Sequence, residues 1–319
     1  DEAAEQEITK EARHARPDCQ VIFIAERSAP SSAVSSMMSG ALTYLPKPVN
    51  TAALSAAVNK ASEIAVLRQD REMLREQLDR RYGLENIIGN SKPILDILEK
   101  VKQVAPTDAT VLISGETGTG KELVARALHQ NSHRKNNRFV PVNCAGMVES
   151  ILESELFGHE KGAFTGASSA RVGLFEHANH GTLFLDEIGD LSASSQSKLL
   201  RALEYGEITR VGSNEPLKVD VRVVAATNHD LRQKVKDGEF RRDLFYRLNV
   251  VNLHMPPLRE RRGDIGLLID FFVRRLSEEY DKQIHTVSRE ARKALMRYQW
   301  PGNVRELKNC IEHMVVVTT

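Results

Sequence analysis

Ala109-Thr110-Val111-Leu112-Ile113-Ser114-Gly115-Glu116-Thr117-Gly118-Thr119-Gly120-Lys121-Glu122 joins an apolar run to a glycine-punctuated turn that closes on a lysine. Ala109 to Ser114 reads as a buried strand, and the amphipathic stretch through His129 reads as a helix, so the turn lies between strand and helix. A phosphate-binding loop needs that context. Its glycines let successive backbone N–H groups converge, the helix N-terminus adds its positive end, and Lys121 reaches toward outer phosphates. Gly115 through Glu122 are therefore the candidate nucleotide-binding residues. The general pattern ends in Ser or Thr, whose hydroxyl binds magnesium, and Glu122 stands there instead.

A second apolar run, Gly181-Thr182-Leu183-Phe184-Leu185-Asp186-Glu187, ends in two carboxylates. At the C-terminal edge of a parallel sheet, Asp186 is placed to hold hydrated magnesium and Glu187 to orient and deprotonate an attacking water. An acidic pair opening a helix is the plainer reading of the same residues.

Between loop and acidic strand stands Gly162-Ala163-Phe164-Thr165-Gly166-Ala167, inside Glu153 to Ala167, ESELFGHEKGAFTGA. Alone, it reads as a glycine-rich surface turn. With the motifs around it, the stretch resembles the signature of bacterial enhancer-binding proteins, the AAA+ ATPases that activate sigma-54 RNA polymerase. The resemblance implies a three-layer α/β core with a parallel sheet, a helical lid subdomain, ATP and Mg2+ as cofactors, and a homo-oligomeric ring of six or seven subunits. It also implies that Gly162 to Ala167 touch sigma-54, and Glu122 at the end of the loop is what these activators show.

Further residues take roles through the same resemblance. Thr227 and Asn228, closing Val219 to Asn228, match the sensor that distinguishes triphosphate from diphosphate. Asn143, after the expected strand Arg138 to Val142, matches the amide that hydrogen-bonds the catalytic glutamate. Arg241 and Arg247 match paired arginines that enter the neighbouring subunit's site, where an always ionised, bidentate group suits developing phosphoryl charge. Alternatively Arg247 pairs with Asp243 along one helix face. Arg242 lies off the pattern and is read as structural. Arg305 in Trp300-Pro301-Gly302-Asn303-Val304-Arg305-Glu306-Leu307 matches a second sensor carried by the lid.

Outside this core the chain divides into 1–60, 61–84, 85–255 and 256–319. Gly40 to Pro48 resembles the end of a response-regulator receiver domain, with Lys47 and Tyr44 at its lysine and aromatic switch positions. Ala25 stands where that domain places a hydroxyl, and the acceptor aspartate is expected upstream of residue 1. A surface lysine between Pro46 and Pro48 is the plainer reading. Residues 61–81 contain neither Gly nor Pro and repeat Ile64, Leu67, Leu74 and Leu78 at helical spacing. They are expected to form a linker helix, ended by Gly83, that pairs with its own copy or lies solvated. After Pro256-Pro257, helices are expected over Ile265 to Tyr280, Ser288 to Tyr298 and Asn303 to about Val315.

Lys+Arg 44 against Asp+Glu 43 leaves a net charge of +1, which carries no nucleic-acid footprint. DNA contact is expected only through a C-terminal domain beyond Thr319, and a sequence that opens on Asp1 without Met is expected to be a fragment. Cys19, Cys144 and Cys310 lack paired spacing, and neither a signal peptide nor a membrane-length apolar run occurs, so a cytoplasmic setting is expected. His129 and His133 have metal-like spacing but no acidic or cysteine partner and are read as structural. Two rivals share the ATP machinery: a peptide-threading unfoldase, and a nucleotide-dependent scaffold that does not hydrolyse.

Overall fold

The computed structural model describes residues 7–8, 11–12, 19–25, 41–82, 87–164, 167–284 and 286–318. The side chains of Leu74 and Leu78, together with Gly83, Thr165 and Gly166, lie outside the described residues. The chain separates into two compact units, 1–80 and 81–319.

In the first unit, β1 (Ile22–Ala25) and β2 (Thr43–Pro46) pair in parallel. The Lys47–Pro48 peptide bond is cis. Helix α1 runs unbroken over Thr51–Tyr82. It therefore begins ten residues before the expected linker, because no Gly or Pro interrupts the chain from Thr51 to Tyr82. Leu67 on the expected stripe is 62% exposed.

The second unit follows strand and helix in alternation. Its helices are α2 (Lys92–Val104), α3 (Lys121–Gln130), α4 (Glu149–Phe157), α5 (Leu174–His177), α6 (Ala193–Tyr205), α7 (Leu231–Lys236) and α8 (Arg242–Leu248). Its strands are β3 (Val111–Ser114), β4 (Phe139–Asn143), β5 (Thr182–Asp186), β6 (Glu207–Thr209), β7 (Pro216–Lys218), β8 (Arg222–Thr227) and β9 (Val251–His254). Five strands form one parallel sheet in the order β4-β5-β8-β3-β9. The expected strand Val219 to Asn228 forms over Arg222–Thr227 only; Val219 N–H instead donates to Gly206 O at 2.8 Å, continuing the antiparallel ribbon of Pro216–Lys218 with Glu207–Thr209.

Both faces of the sheet are covered, which is why its strands read as continuous apolar runs rather than alternating ones. Leu112, Leu183, Leu185, Val223 and Ala225 face Leu156, Phe157, Leu199 and Leu244 on one side. Val111, Ile113, Phe184, Val224 and Ala226 face Ile97, Val101, Val124 and Leu128 on the other. The period-two alternation divides one strand between two cores. Arg222 is the exception: 2% exposed, it donates to the carbonyls of Ala105 (2.7 Å) and Val104 (3.1 Å) at the C-terminal end of α2, where helical carbonyls lack intrahelical donors.

The remaining helices, α9 (Arg262–Glu279), α10 (Arg289–Arg297) and α11 (Asn303–Val317), enclose a separate core of Leu258, Ile269, Phe272, Trp300, Leu307 and Ile311. Ser288 caps α10 as expected, accepting from Ala291 N–H. No described helix is long and apolar enough to cross a membrane.

Candidate active site

The glycine turn occupies the junction of β3 and α3. Gly118 and Gly120 adopt φ of 79° and 103°, a left-handed path open to residues without a Cβ. Lys121, 7% exposed, folds back across the turn and donates to Gly115 O at 2.9 Å, with Glu187 Oε1 3.6 Å away. The strand order brings the acidic residues beside it. β8 lies between β3 and β5, so Ser114, Thr227 and Asp186 end adjacent strands at one edge of the sheet. Gly115 N–H donates to Thr227 O at 3.2 Å.

Glu187 follows β5 in a left-handed conformation, φ 53° and ψ 50°, which turns its carboxylate toward the loop. Its Oε2 accepts the Asn228 N–H at 3.0 Å, and Asn228 Nδ2 donates to Thr117 Oγ1 at 3.2 Å. Burial, then the neighbouring Glu187 charge, raises the Asp186 pKa. Burial pushes the adjacent Cys144 thiol up to about 12, and the charges of Asp186, Asp190 and Glu187 add to the effect. A cation would relieve this concentration of negative charge. No group of three metal-ligating side chains occurs among the described residues. Asp186, at the strand end beside the loop, fits magnesium, which keeps its waters and takes one or two carboxylates plus substrate phosphates.

Several expected site residues point elsewhere. Glu122 pairs with Arg126 one turn along α3, at 2.7 Å, so its carboxylate serves the helix surface. Asn143 lies beside Asp186 in the β4–β5 register, yet its Oδ1 accepts from Ala145 N–H at 2.8 Å while Glu187 is engaged by Asn228 and Lys121. Glu116 faces the helical subdomain: Arg259 binds it with both arms, at 2.8 and 2.5 Å, and Asn303 Nδ2 donates at 3.1 Å. Arg259, followed by Asn303, holds the Glu116 carboxyl down to about 2. Arg305 meets the loop through its backbone N–H, 3.3 Å from Gly118 O, and its side chain is exposed.

Arg241 and Arg247 belong to the exposed side of α8. Arg241 pairs with Asp243 at 2.7 Å and donates to Ser197 Oγ at 3.1 Å, whereas Arg247 donates to Leu203 O at 2.8 Å. The alternative of an Arg247–Asp243 pair therefore gives way to Arg241–Asp243. The Arg242 guanidinium lies 5.8 Å from the Tyr246 ring centroid.

At the insertion, Gly162 N–H donates to Ala167 O (2.9 Å) and Ala167 N–H to Phe164 O (3.0 Å), closing the loop at its base. Phe164, 39% exposed, meets the buried His159 ring edge-on at 5.0 Å. His159 is held by Ser154 Oγ at 2.7 Å and Ser169 O at 2.9 Å. Below it, Arg210 bridges Glu160 (2.9 Å) and Glu176 (2.8 Å).

Residues 87–254 match the sigma-54 interaction domain, and residues 259–319 match an AAA+ ATPase lid domain. The chain belongs to the sigma-54 interaction domain family. It is 46% identical over 310 residues to the regulatory protein AtoC of Escherichia coli strain K12, covering 97% of this chain and 67% of that one. Over 310 residues it is 48% identical to the transcriptional regulatory protein ZraR of Salmonella typhimurium strain LT2, covering 97% and 69%. The crystal structure of NtrX from Brucella abortus in complex with ATP superimposes with a TM-score of 0.75 at 34% identity, covering 97% of this chain and 66% of that one.

In this sigma-54 family ATPase, sequence reasoning passed over three polar residues that join loop to lid, Arg259, Arg261 and Asn303, and a fourth, Asp264, that ties the lid to the segment before α2. Asp264, fully buried, accepts from Asn90 N–H, Ser91 N–H and Ser91 Oγ at 2.8, 2.9 and 2.6 Å. The available signal was Arg259-Glu260-Arg261-Arg262 directly after an apolar Pro256-Pro257-Leu258 step, a charge cluster too close to the core to be only a solvated face.

Proposed function

We propose that this chain is the ATP-hydrolysing motor of a sigma-54-dependent transcriptional activator of the two-component response-regulator kind, acting in the cytoplasm. In this reading 1–60 closes a receiver-like domain, 61–84 is the dimerising linker, 85–255 the α/β ATPase subdomain and 256–319 its lid. The backbone of Gly115 to Gly120 cradles the phosphates of ATP, and Lys121 reaches the outer ones. Asp186 holds Mg2+, which when bound neutralises phosphate charge. Glu187 orients the attacking water and takes its proton, as its placement beside Lys121 supports. Thr227 and Asn228 respond to the outer phosphate. Since Asn228 N–H already holds Glu187, that response passes directly to the base. Asn143 exchanges its Ala145 contact for Glu187 in another nucleotide state. Arg241 and Arg247, on an exposed face whose partners belong to α6 and α8, complete the site of the next subunit in a ring.

The loop 162–167 carries this reading. An aromatic ring at a solvent-exposed loop tip is an apolar surface suited to a protein partner, and sigma-54 with its RNA polymerase is that partner. Purified protein with an ATP transition-state mimic is expected to capture sigma-54. Phe164→Ala is expected to keep ATP hydrolysis while losing capture and open-complex formation. Normal activation by Phe164→Ala, or capture of unfolded peptide in place of sigma-54, would favour the unfoldase reading.

A further inference from the structure

The outward rim of the nucleotide loop is held by the lid, carbonyl by carbonyl. Thr117 O accepts from Asn303 Nδ2 at 3.0 Å. Gly118 O accepts the backbone N–H groups of Val304 (3.0 Å) and Arg305 (3.3 Å), at the start of α11. Thr119 O accepts Arg261 Nη2 at 2.9 Å, with Arg261 only 3% exposed. Asn303 joins these contacts, because its Oδ1 also accepts Leu258 N–H at 2.7 Å and its amide nitrogen reaches Glu116. Asn303 is fully buried with φ 55°, and Trp300 just before it has φ 52°. Two non-glycine residues in the left-handed region within one turn are strained, and such strain persists where surrounding contacts demand it.

A peptide unit is planar, so fixing its carbonyl fixes the N–H on its opposite edge. The lid thereby orients the Thr117–Gly118, Gly118–Thr119 and Thr119–Gly120 planes, whose N–H edges turn away from it. Thr119 N–H, on the middle plane, makes a long 3.4 Å contact to Glu116 O.

We propose that Asn303, Arg261 and Arg259 are positioning residues for nucleotide binding: they lock the carbonyl side of the nucleotide loop to the lid, so that its phosphate-facing N–H groups are aligned only when the lid is seated. The proposal rests on the nucleotide-site reading above and extends it, since nucleotide affinity then reports lid position. Glu116 becomes the loop's grip on the lid rather than a phosphate ligand, and Arg259 is the matching fork. Because such linkage is reciprocal, bound nucleotide in turn favours the seated lid.

The test compares the intact chain with Arg259→Ala, Arg259→Lys, Glu116→Gln, Glu116→Gln/Arg259→Ala and Asn303→Ala. Affinity is read with a fluorescent ADP analogue, and KM and kcat at one subunit concentration. Arg259→Ala is expected to weaken nucleotide binding about threefold, as fits a half-exposed pair, with KM rising by the same factor and kcat nearly unchanged. Arg259→Lys, which lacks the bidentate fork, recovers part of that loss. The double variant is expected to be no weaker than the poorer single variant, because both act through one contact. Asn303→Ala, which leaves buried groups unpaired, is expected to cost at least about tenfold in affinity. Thermal melting checks that it folds, and the surface pair decides the matter if it does not. Unchanged affinity and KM in folded Arg259→Ala, or strictly additive effects in the double variant, would overturn the proposal while leaving the nucleotide site intact. An unmodified chain that binds no nucleotide would overturn both.

Discussion

At Glu187 one backbone angle decides the chemistry. The left-handed turn after β5 separates two adjacent carboxylates, leaving Asp186 at the strand end and directing Glu187 to Lys121 and the Asn228 N–H. Glu187→Gln is expected to retain binding of a fluorescent ATP analogue while steady-state phosphate release falls by ~10² to 10⁴, the usual worth of a positioned base. Turnover at the normal rate would remove Glu187 from that role. His129 shows burial acting on stability instead. Packed against Phe139 and bonded to Thr182 Oγ1 at 2.9 Å, it is pushed down to about 4, chiefly by burial. Unfolded, it takes a proton below its ordinary value of 6.5, whereas folded it does so only near 4. Its contribution is complete above that upper value and is lost as pH falls toward the lower one, by roughly 3 kcal/mol. Urea titrations of the chain and of His129→Gln should therefore converge in stability as pH drops from neutral, and parallel curves would show that His129 is not a source of the acid sensitivity.

Among the elements, the junction of the glycine loop with α11 tolerates little change. A Cβ at Gly118 would lie 2.3 Å from Gly302 O and 3.1 Å from Arg305 Cβ, at φ 79°. Gly238, at φ 76°, has nothing within 4 Å and isolates the backbone strain from the clash. Gly238→Ala is expected to cost roughly 1 kcal/mol in urea unfolding, as a strained turn does. Gly118→Ala is expected to cost more, up to about 3 kcal/mol, and also to weaken nucleotide binding because α11 must move away from the loop. Equal effects on nucleotide affinity would mean that the loop tolerates a displaced lid. Helix α1 makes the complementary point. Its composition shifts near residue 60, but a change in side-chain chemistry does not end a helix when every residue still propagates it.

For the molecule as a whole, Arg241, which caps α8, and Arg247, in its last turn, bear on assembly. Their contacts lie on Ser197, Leu203 and Asp243, and both side chains are exposed. If they serve a neighbour, ATPase activity per subunit rises with protein concentration. Mixing Arg247→Ala subunits with Glu187→Gln subunits then restores part of the hydrolysis, since each supplies what the other lacks. Activity independent of concentration, with no recovery on mixing, would assign the arginines to their own chain.

The sequence alone determined what depends on local pattern. Apolar runs ending in glycines or carboxylates specify strands whose C-terminal edge carries Lys121, Asp186 and Thr227, because a parallel sheet covered on both faces leaves its chemistry at the strand ends. The GAFTGA segment was equally legible as an insertion that no nucleotide chemistry requires. Tertiary structure decided where side chains of ambiguous chemistry are spent. Glu116, Glu122 and Asn143 all lie in or beside the site by sequence, and a carboxylate or amide bonds whichever donor folding brings within reach. Arg259 supplies that donor for Glu116 from 143 residues away, whereas Glu122 and Asn143 are claimed by local donors, Arg126 one helical turn on and the Ala145 backbone two residues on. No periodicity encodes the Glu116–Arg259 contact across such a separation; it exists only where the lid lies against the loop, which Asn303 and Arg261 also bond.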